Sequence, residues 1–525
     1  MNSAILIFPN QLFKDSVLLK KSVPVFLIEE FLFFKQFNFH KQKIFFHRDT
    51  MKNYQNFLEK KGFDVSYIDS NDEKSEISFF LDKLKFKEIN IYDPEDNWLE
   101  KKILSGCKKN NIELVIHSNP LFITDKKDLE PFFKKEKKKL FQTSFYKNQR
   151  KKYNILFDDD GNPTGGKWTY DDMNREKFPK NKETPVIKEP KKSLNFNSSI
   201  KYVSDNFSTN YGEIIENYYP TDFESSEIWF DNFLKTRFDE FGIYEDAVLK
   251  DQSVINHSVL SPLINSGLLD PNYVVKKSLE FYKKKDIPIN SVEGFIRQII
   301  GWREFVRHVH ELTDGFETED EIIPARAGAG WEGNWNKPRN TPNLLDNDFS
   351  LPPTYWGEKS GMLCLDTAVS DVVETGYAHH IPRLMVLANI GNLLGINPRE
   401  LTDWFWAMFA DAYDWVVEPN VLAMGTYAVG DVMTTKPYVS GTPYIKKMGD
   451  YCGDCSLHFK KSCPISDMYW NFLEENQTHF TKNHRMAMPM RTLAKRSQQA
   501  KDTAREVTEY VRTQMSQGMK LDPEI

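Results

Sequence analysis

Four of the five cysteines lie in one stretch, Cys364 and then Cys452, Cys455 and Cys463, and this spacing constrains the chain more than any other feature. Cys452-x-x-Cys455 lets two thiolates hold one metal centre from a single turn. Cys463-Pro464 follows within loop reach, whereas Cys364 has to arrive from a distant helix. All-thiolate ligation suits zinc or an iron–sulfur cluster. Structural zinc sites often use two local pairs, and here there is one. The lone distant ligand and the Cys-Pro end lean towards [4Fe–4S], and unconnected buried cysteines are the plain alternative. Between the cysteines lie Gly376-Tyr377-Ala378-His379-His380-Ile381-Pro382-Arg383, Asp403-Trp404-Phe405-Trp406 and Asp411-Ala412-Tyr413-Asp414-Trp415. Metal-ligand, proton-transfer and electron-transfer side chains concentrated in this way read as a redox cofactor domain whose two ends are tied by a metal centre.

The remainder supplies a large globular body. A chain of 525 residues has room for two or three domains. Five cysteines in so long a chain point to metal or free thiols instead of a disulfide framework. No apolar run approaches membrane-spanning length. The start, Met1-Asn2-Ser3-Ala4-Ile5-Leu6-Ile7-Phe8, reads as a strand and not as a signal peptide. The expected setting is therefore the cytoplasm. A net charge of −6 means that any nucleic-acid surface is a local basic patch on an acidic body.

Up to residue 139 short apolar runs alternate with polar helical stretches. Strands are expected at Ala4–Phe8, Val25–Ile28, Ile44–His47, Asp64–Ile68, Glu88–Tyr92 and Glu113–Ile116. Their spacing suits βαβ units and a parallel sheet. No G-x-G-x-x-G follows the first of them; Phe8-Pro9-Asn10-Gln11 stands there instead. Residues 140–222 read as an interdomain connector, 223–496 as a helical domain and 497–525 as a polar helical tail with little apolar face. Residues 314–350 read as an inserted loop. Helical periodicity is clearest over 228–237, 292–309 and 381–394.

Several motifs are ambiguous on their own. The lysines from Lys134 to Lys139, followed by Phe145-Tyr146-Lys147-Asn148-Gln149-Arg150, make either a solvated helix face or a nucleic-acid-facing segment. His379 and His380 enter a helix that Pro382 would start well, and packing or capping competes there with acid–base catalysis. His257-Ser258-Val259-Leu260-Ser261-Pro262 is an anion site or simply an N-cap.

Taken in order, these pieces resemble the photolyase/cryptochrome superfamily, and more narrowly its iron–sulfur branch of bacterial cryptochromes and prokaryotic (6-4) photolyases. The resemblance is carried by Phe8-Pro9-Asn10-Gln11-Leu12, His47-Arg48-x-x-Met51-Lys52, Phe145-Tyr146 with Arg150, and Gly165-Gly166-Lys167-Trp168. It continues through Tyr244-Glu245-Asp246-Ala247, Arg297-Gln298-Ile299-Ile300-Gly301-Trp302-Arg303-Glu304, the His379-His380 motif, Lys436-Pro437-Tyr438 and the four cysteines. It implies an α/β Rossmann-like N-terminal antenna domain and an all-helical C-terminal domain that binds FAD. A [4Fe–4S] cluster would sit on Cys364, Cys452, Cys455 and Cys463. FAD would meet Tyr244, Ser258, Leu260, Ser261, Gln298, Trp302, Arg383, Asp411 and Val417. Trp404, Trp356 and Phe405 would relay electrons, with Phe405 standing where some relatives have Tyr. A 6,7-dimethyl-8-ribityllumazine antenna would touch Glu29 and Asn10, although relatives can carry an acid at the second position. Lys147, Arg150, Tyr438 and Tyr444 would face UV-damaged DNA, the protein working as a monomer with the nucleoid. The implied activity is light-driven repair of pyrimidine-pyrimidone (6-4) photoproducts, with His380 as proton donor backed by His379. A light-sensing cryptochrome with the same cofactors is the first alternative, and a zinc-stabilised nucleic-acid-binding module without catalysis the second.

Overall fold

The computed structural model describes residues 2–125, 132–134, 137, 139–316 and 341–523. Five parallel strands form the N-terminal sheet: β1 (Ser3–Ile7), β2 (Val25–Ile28), β3 (Val65–Ile68), β4 (Glu88–Tyr92) and β5 (Glu113–His117), in the order β3-β2-β1-β4-β5. Register is direct, with Ile5 opposite Val25 and Ile89 opposite Leu114. Crossover helices cover the sheet, so β1 is apolar on both faces and nearly all of it is buried. The strand order reverses between β1 and β4, the place where open α/β sheets bind ligands.

One expected strand is a helix. Ile44-Phe45-Phe46-His47 lies in the first turns of the helix Lys41–Lys60, whose backbone is capped by His40 Nδ1 accepting from Gln42 N–H at 3.0 Å. A four-residue apolar run cannot by itself tell a strand from a buried helical turn. Met51, Tyr54 and Leu58, buried further along at helical spacing, reveal the true period.

The stretch 140–222 is more than a plain connector. It carries the helix Gln142–Lys152, whose Phe145 packs on Phe133 and Phe305, and the helix Phe196–Asn206, whose Phe196 meets Phe45 at 5.3 Å. Of the expected insertion, residues 317–340 lie outside the described residues; beyond them Phe349 bridges to Ile396.

From Phe223 onward the described structure is helical. Three segments are π-helical: Arg297–Arg303, Pro382–Ala388 and Glu418–Gly425. Such widened turns cluster at functional sites, and these three carry Gln298, Trp302, Arg383 and Asn420. The C-terminal helix Gln498–Ser516 is the helical tail expected, and its small apolar face is what docks it. Its Ala504, Thr508, Val511 and Met515 form a narrow buried stripe, and the helix packs on Ile465–Glu475. One continuous apolar core runs from the sheet through the helical bundle to Val511 and Met515.

Candidate cofactor and catalytic site

The four cysteines converge. Cys364 is the second residue of the helix Leu363–Thr375, Cys452 sits in the single turn Tyr451–Gly453, and Cys463 precedes the helix Ile465–Glu475. Together with Cys455 they line one cavity floored by Met362, Ile445 and Leu457, and all are free thiols. Burial pushes the Cys364 thiol well up, and its cysteine neighbours push it further; Cys452 and Cys463 are raised for the same leading reason. Thiols crowded in this way become thiolates when a cation is bound. Four sulfurs around one zinc would lie about 3.8 Å apart, given Zn–S bonds of about 2.3 Å. Among the described residues, the only His/Cys/Asp/Glu group whose donor atoms all lie within 4.8 Å is His257, His379 and His380. No three of the cysteine sulfurs are that close, so the donor set fits a multi-iron cluster better than a single ion. The fifth cysteine, Cys107, is buried in the helix Asn97–Asn110 and takes no part.

Arg383 grips Asp411 with two parallel hydrogen bonds of 3.0 Å each, donates from Nε to the Ala378 carbonyl at 2.6 Å, and lies 4.2 Å over the Phe409 ring. Ser261 Oγ donates to Asp411 Oδ2 at 2.6 Å, so its proton is committed to that carboxylate. The Ser258 carbonyl accepts from Trp229 Nε1 at 2.8 Å, and Leu260 is buried at the head of the helix Ser261–Ser266. In the loop before this helix Ile255 and Val259 hold φ of +46° and +52°. β-Branched residues avoid this left-handed region, and strain of this kind gathers at functional sites.

Nearby polar groups lack protein partners. Arg237 Nε and Nη2, both amide atoms of Asn256, His257 Nε2 and Arg303 Nη2 are buried with no hydrogen-bond partner. Burial drags the Arg237 guanidinium down to about 10. A buried arginine facing no carboxylate is costly unless an anion meets it. This is the chemistry a dinucleotide's phosphates would satisfy. Arg237 was not recognised in the sequence, where an arginine closing the helix Phe223–Thr236 is unremarkable.

Gln298 Nε2 donates to Glu245 Oε1 at 2.7 Å, and Asn174 holds the other Glu245 oxygen at 2.7 Å; burial raises this carboxyl. Trp302 Nε1 donates to Asn420 Oδ1 at 2.9 Å, one turn beyond the buried Val417. Tyr244 stands somewhat apart, in a small cluster with Phe178, Ala247 and Ile255.

The histidines divide by environment. The rings of His257 and His379 stack at 4.3 Å, and burial holds both neutral, far below the usual imidazole range. The His380 side chain is 48% exposed, and its Nε2 lies 3.2 Å from Asp246 Oδ1. Only His380 of the three has both solvent access and a carboxylate at its back. Asp246 itself was seen in sequence only as part of a motif.

The aromatic path is continuous. Phe409 under Arg383 stacks on Phe405 at 5.1 Å, Phe405 meets the fully buried Trp404 at 5.1 Å, and Trp404 meets Tyr355 at 5.3 Å. Trp356, next in sequence, meets Tyr211 at 4.7 Å with the rings tilted by 40°.

The N-terminal and DNA-facing expectations fare unevenly. Glu29 is fully buried and already accepts from Arg48, from Tyr67 Oη at 2.6 Å and from the Ser70 amide at 2.7 Å. Asn10, between β1 and β4, donates to the Pro94 carbonyl at 3.2 Å and leaves a buried Oδ1 unpaired. Arg150 is 1% exposed, and its guanidinium donates to the carbonyls of Ile155, Leu156 and Trp168, which turns it into the protein and away from a DNA-facing surface. Its basic neighbourhood concealed a loop anchor. Lys147 lies partly exposed, 5.8 Å over the Trp168 ring. Tyr438 is exposed. Burial first, then the Asp246 carboxylate, pushes the Tyr444 phenol up to about 12, so Tyr444 lies within electrostatic reach of the partner of His380.

Comparison with known proteins agrees with this geometry. The family model of deoxyribodipyrimidine photo-lyase-related proteins matches residues 5–219. A (6-4) photolyase of Agrobacterium fabrum is 32% identical over 492 residues, 89% of each chain. A class III photolyase from Agrobacterium tumefaciens superposes with a TM-score of 0.53 at 14% identity, covering 98% of both chains. The Synechocystis sp. PCC6803 cryptochrome does so at 0.55 and 12%, covering 96% of this chain and 99% of its own. Among the described residues no helix is long and apolar enough to cross a membrane. Sequence identity over nearly the whole length, with the same two-part fold, establishes that this chain belongs to the photolyase/cryptochrome family.

Proposed function

We propose that the protein is a light-driven (6-4) photolyase that reverts pyrimidine-pyrimidone (6-4) photoproducts in UV-damaged DNA. The observation that carries this reading is His380, open to solvent and backed by Asp246 at 3.2 Å, beside two histidines that burial keeps neutral. It is supported by 32% identity to a protein that is itself a (6-4) photolyase.

FAD would be held by Arg383, Asp411, Arg237 and Asn256, and its light-excited reduced form would lend one electron to the lesion and recover it when the bases separate. The Arg383–Asp411 pair fixes a cation and an anion side by side, and the Phe409 face covers one side of the guanidinium. The damaged base has to leave the duplex stack to reach this depth. Tyr438 and Tyr444 line the approach. His380 delivers a proton from its ring to the hydroxyl that migrates between the two pyrimidines, and takes one back when the bases separate. Asp246 orients the ring for both transfers, and His379 packs beneath without ionising.

Cys364, Cys452, Cys455 and Cys463 would hold a [4Fe–4S] cluster, tying the helix Leu363–Thr375 to the loop before Ile465–Glu475. A ribityllumazine antenna would meet Asn10 Oδ1. Glu29, already engaged by three protein donors, would shape that pocket through Arg48. Trp404 and Phe405 lead electrons inward towards Arg383. The direct test is repair of an oligonucleotide carrying one (6-4) photoproduct under blue light and in the dark, with a cyclobutane dimer in parallel. Light-dependent loss of the (6-4) lesion is expected; no repair by flavin-loaded protein would overturn the reading.

A further inference from the structure

We infer that the groove beside the cysteine cavity binds the phosphate backbone of DNA. Cys463, Thr442 and Phe459 form the wall common to the cavity and the groove. On the groove side the lining is basic: Lys446 and Lys447 from the helix Thr442–Met448, Lys460 and Lys461 from the cysteine loop, and Arg496 opposite. All four lysines are exposed, and among the described residues no carboxylate pairs with any of them. Elsewhere on this acidic chain exposed lysines are commonly paired, as Lys14, Lys101 and Lys109 are. The groove's one acid, Asp467, stands 4.0 Å from Arg496.

Aromatic rings sit beneath the cations. Lys446 lies 3.2 Å over Phe459, and Arg496 lies 4.8 Å over Trp470. A cationic groove floored with aromatic faces is the arrangement that tracks nucleic-acid backbones. An acidic protein could meet the same charges, but continuity favours DNA. The short helix Thr442–Met448 carries both Tyr444, whose phenol feels the Asp246 carboxylate that partners His380, and Lys446 and Lys447, which line the groove. A strand whose base is held at His380 and that continues past Tyr444 runs into these lysines.

The assignment takes the position of the lesion from the proposed function, but its test uses undamaged DNA and no repair. Affinity for an undamaged duplex is measured by fluorescence anisotropy across salt, with Lys446→Gln/Lys447→Gln/Lys460→Gln/Lys461→Gln. Each lost phosphate contact removes about 0.9 from the slope of log K against log salt, so the slope should flatten by roughly 3–4 and low-salt affinity fall at least ~10-fold. The loop pair Lys460→Gln/Lys461→Gln, which touches no helix, should give about half the change in slope. Neutralising Lys14, Lys83, Lys101 and Lys109 together removes the same charge elsewhere and should leave the slope at its parent value. An unchanged slope in the groove variants, or an equal loss in the control, would overturn the assignment and leave the groove to an acidic protein. Groove-dependent binding without any photorepair would uphold it while sinking the repair reading.

Discussion

Arg399 holds the relay helix in place, and its removal has a calculable signature. The side chain is 1% exposed. Nη1 reaches Glu418 at 2.7 and 2.9 Å, and Nη2 lies 2.6 Å from Asp403, both carboxylates being fully buried. The contacts join the helix Pro398–Met408, which carries Trp404 and Phe405, to the π-helical segment Glu418–Gly425. Arg399→Met would take the guanidinium away from two fully buried carboxylates. Each would escape by taking a proton, so its cost is bounded by protonating an acid whose unfolded pKa is near 4. At about 1.4 kcal/mol per unit, the bound is about 4 kcal/mol per carboxylate at pH 7, roughly 8 for the two, and about 2–3 for both at pH 5. The sign follows: the variant's folded state binds protons that its unfolded state does not, so acidification narrows its deficit. Urea unfolding followed by tryptophan fluorescence, at matched flavin load, measures that deficit at both pH values. Replacing all three charges, as Arg399→Met/Asp403→Leu/Glu418→Met, should recover most of the loss. A deficit below about 1 kcal/mol, or one that is equal at pH 7 and pH 5, would refute the clamp.

Other expectations are briefer. Purified protein should contain about four iron and four sulfide per chain, and Cys364→Ala should cut soluble yield more than activity per folded molecule; one zinc and no iron would contradict the cluster. Trp404→Phe should slow photoreduction of oxidised flavin at least ~10-fold yet spare repair by pre-reduced protein, because the path only refills the flavin; lost repair from the reduced state, with flavin bound, would break that division. His47 is buried among Phe33, Phe34 and Tyr413 with neither ring nitrogen paired, and burial keeps it neutral. Its folded pKa is depressed, so its contribution is present above about 6.5 and lost as pH falls. His47→Phe should therefore lose about 2 kcal/mol less stability than the parent between pH 7 and pH 5, as read from unfolding midpoints.

The sequence was most informative where a pattern has one structural solution. The parallel strands Val25–Ile28 and Glu88–Tyr92 stand at the residues expected: the first is an unbroken apolar run, and the second alternates, with Ile89 and Ile91 buried and Glu88 and Asn90 only partly so. The four cysteines could be linked because their side chains share one chemistry. Two local patterns each admit two structures: Ile44–His47, an apolar run that suits a strand or a buried helical turn and is the latter, and Arg150, a cation in a basic segment that is buried against the carbonyls of Ile155, Leu156 and Trp168. The last helix adds a stripe one residue wide, too narrow to stand out as an apolar face. Asp246 behind His380 and the lone buried Arg237 depend on tertiary packing that no spacing reveals.

The central claim rests on His380. General acid help of the kind assigned to it is worth ~10²–10⁴-fold. The decisive measurement is single-turnover, light-driven repair of a (6-4) photoproduct by the parent and by His380→Asn, with flavin content, iron content and lesion affinity determined on the same samples. The account predicts that the variant keeps both cofactors and binds the lesion, yet loses (6-4) repair by that factor. Near-normal (6-4) repair by His380→Asn would remove it as the acid, and a parent that repairs only cyclobutane dimers would contradict the assignment itself.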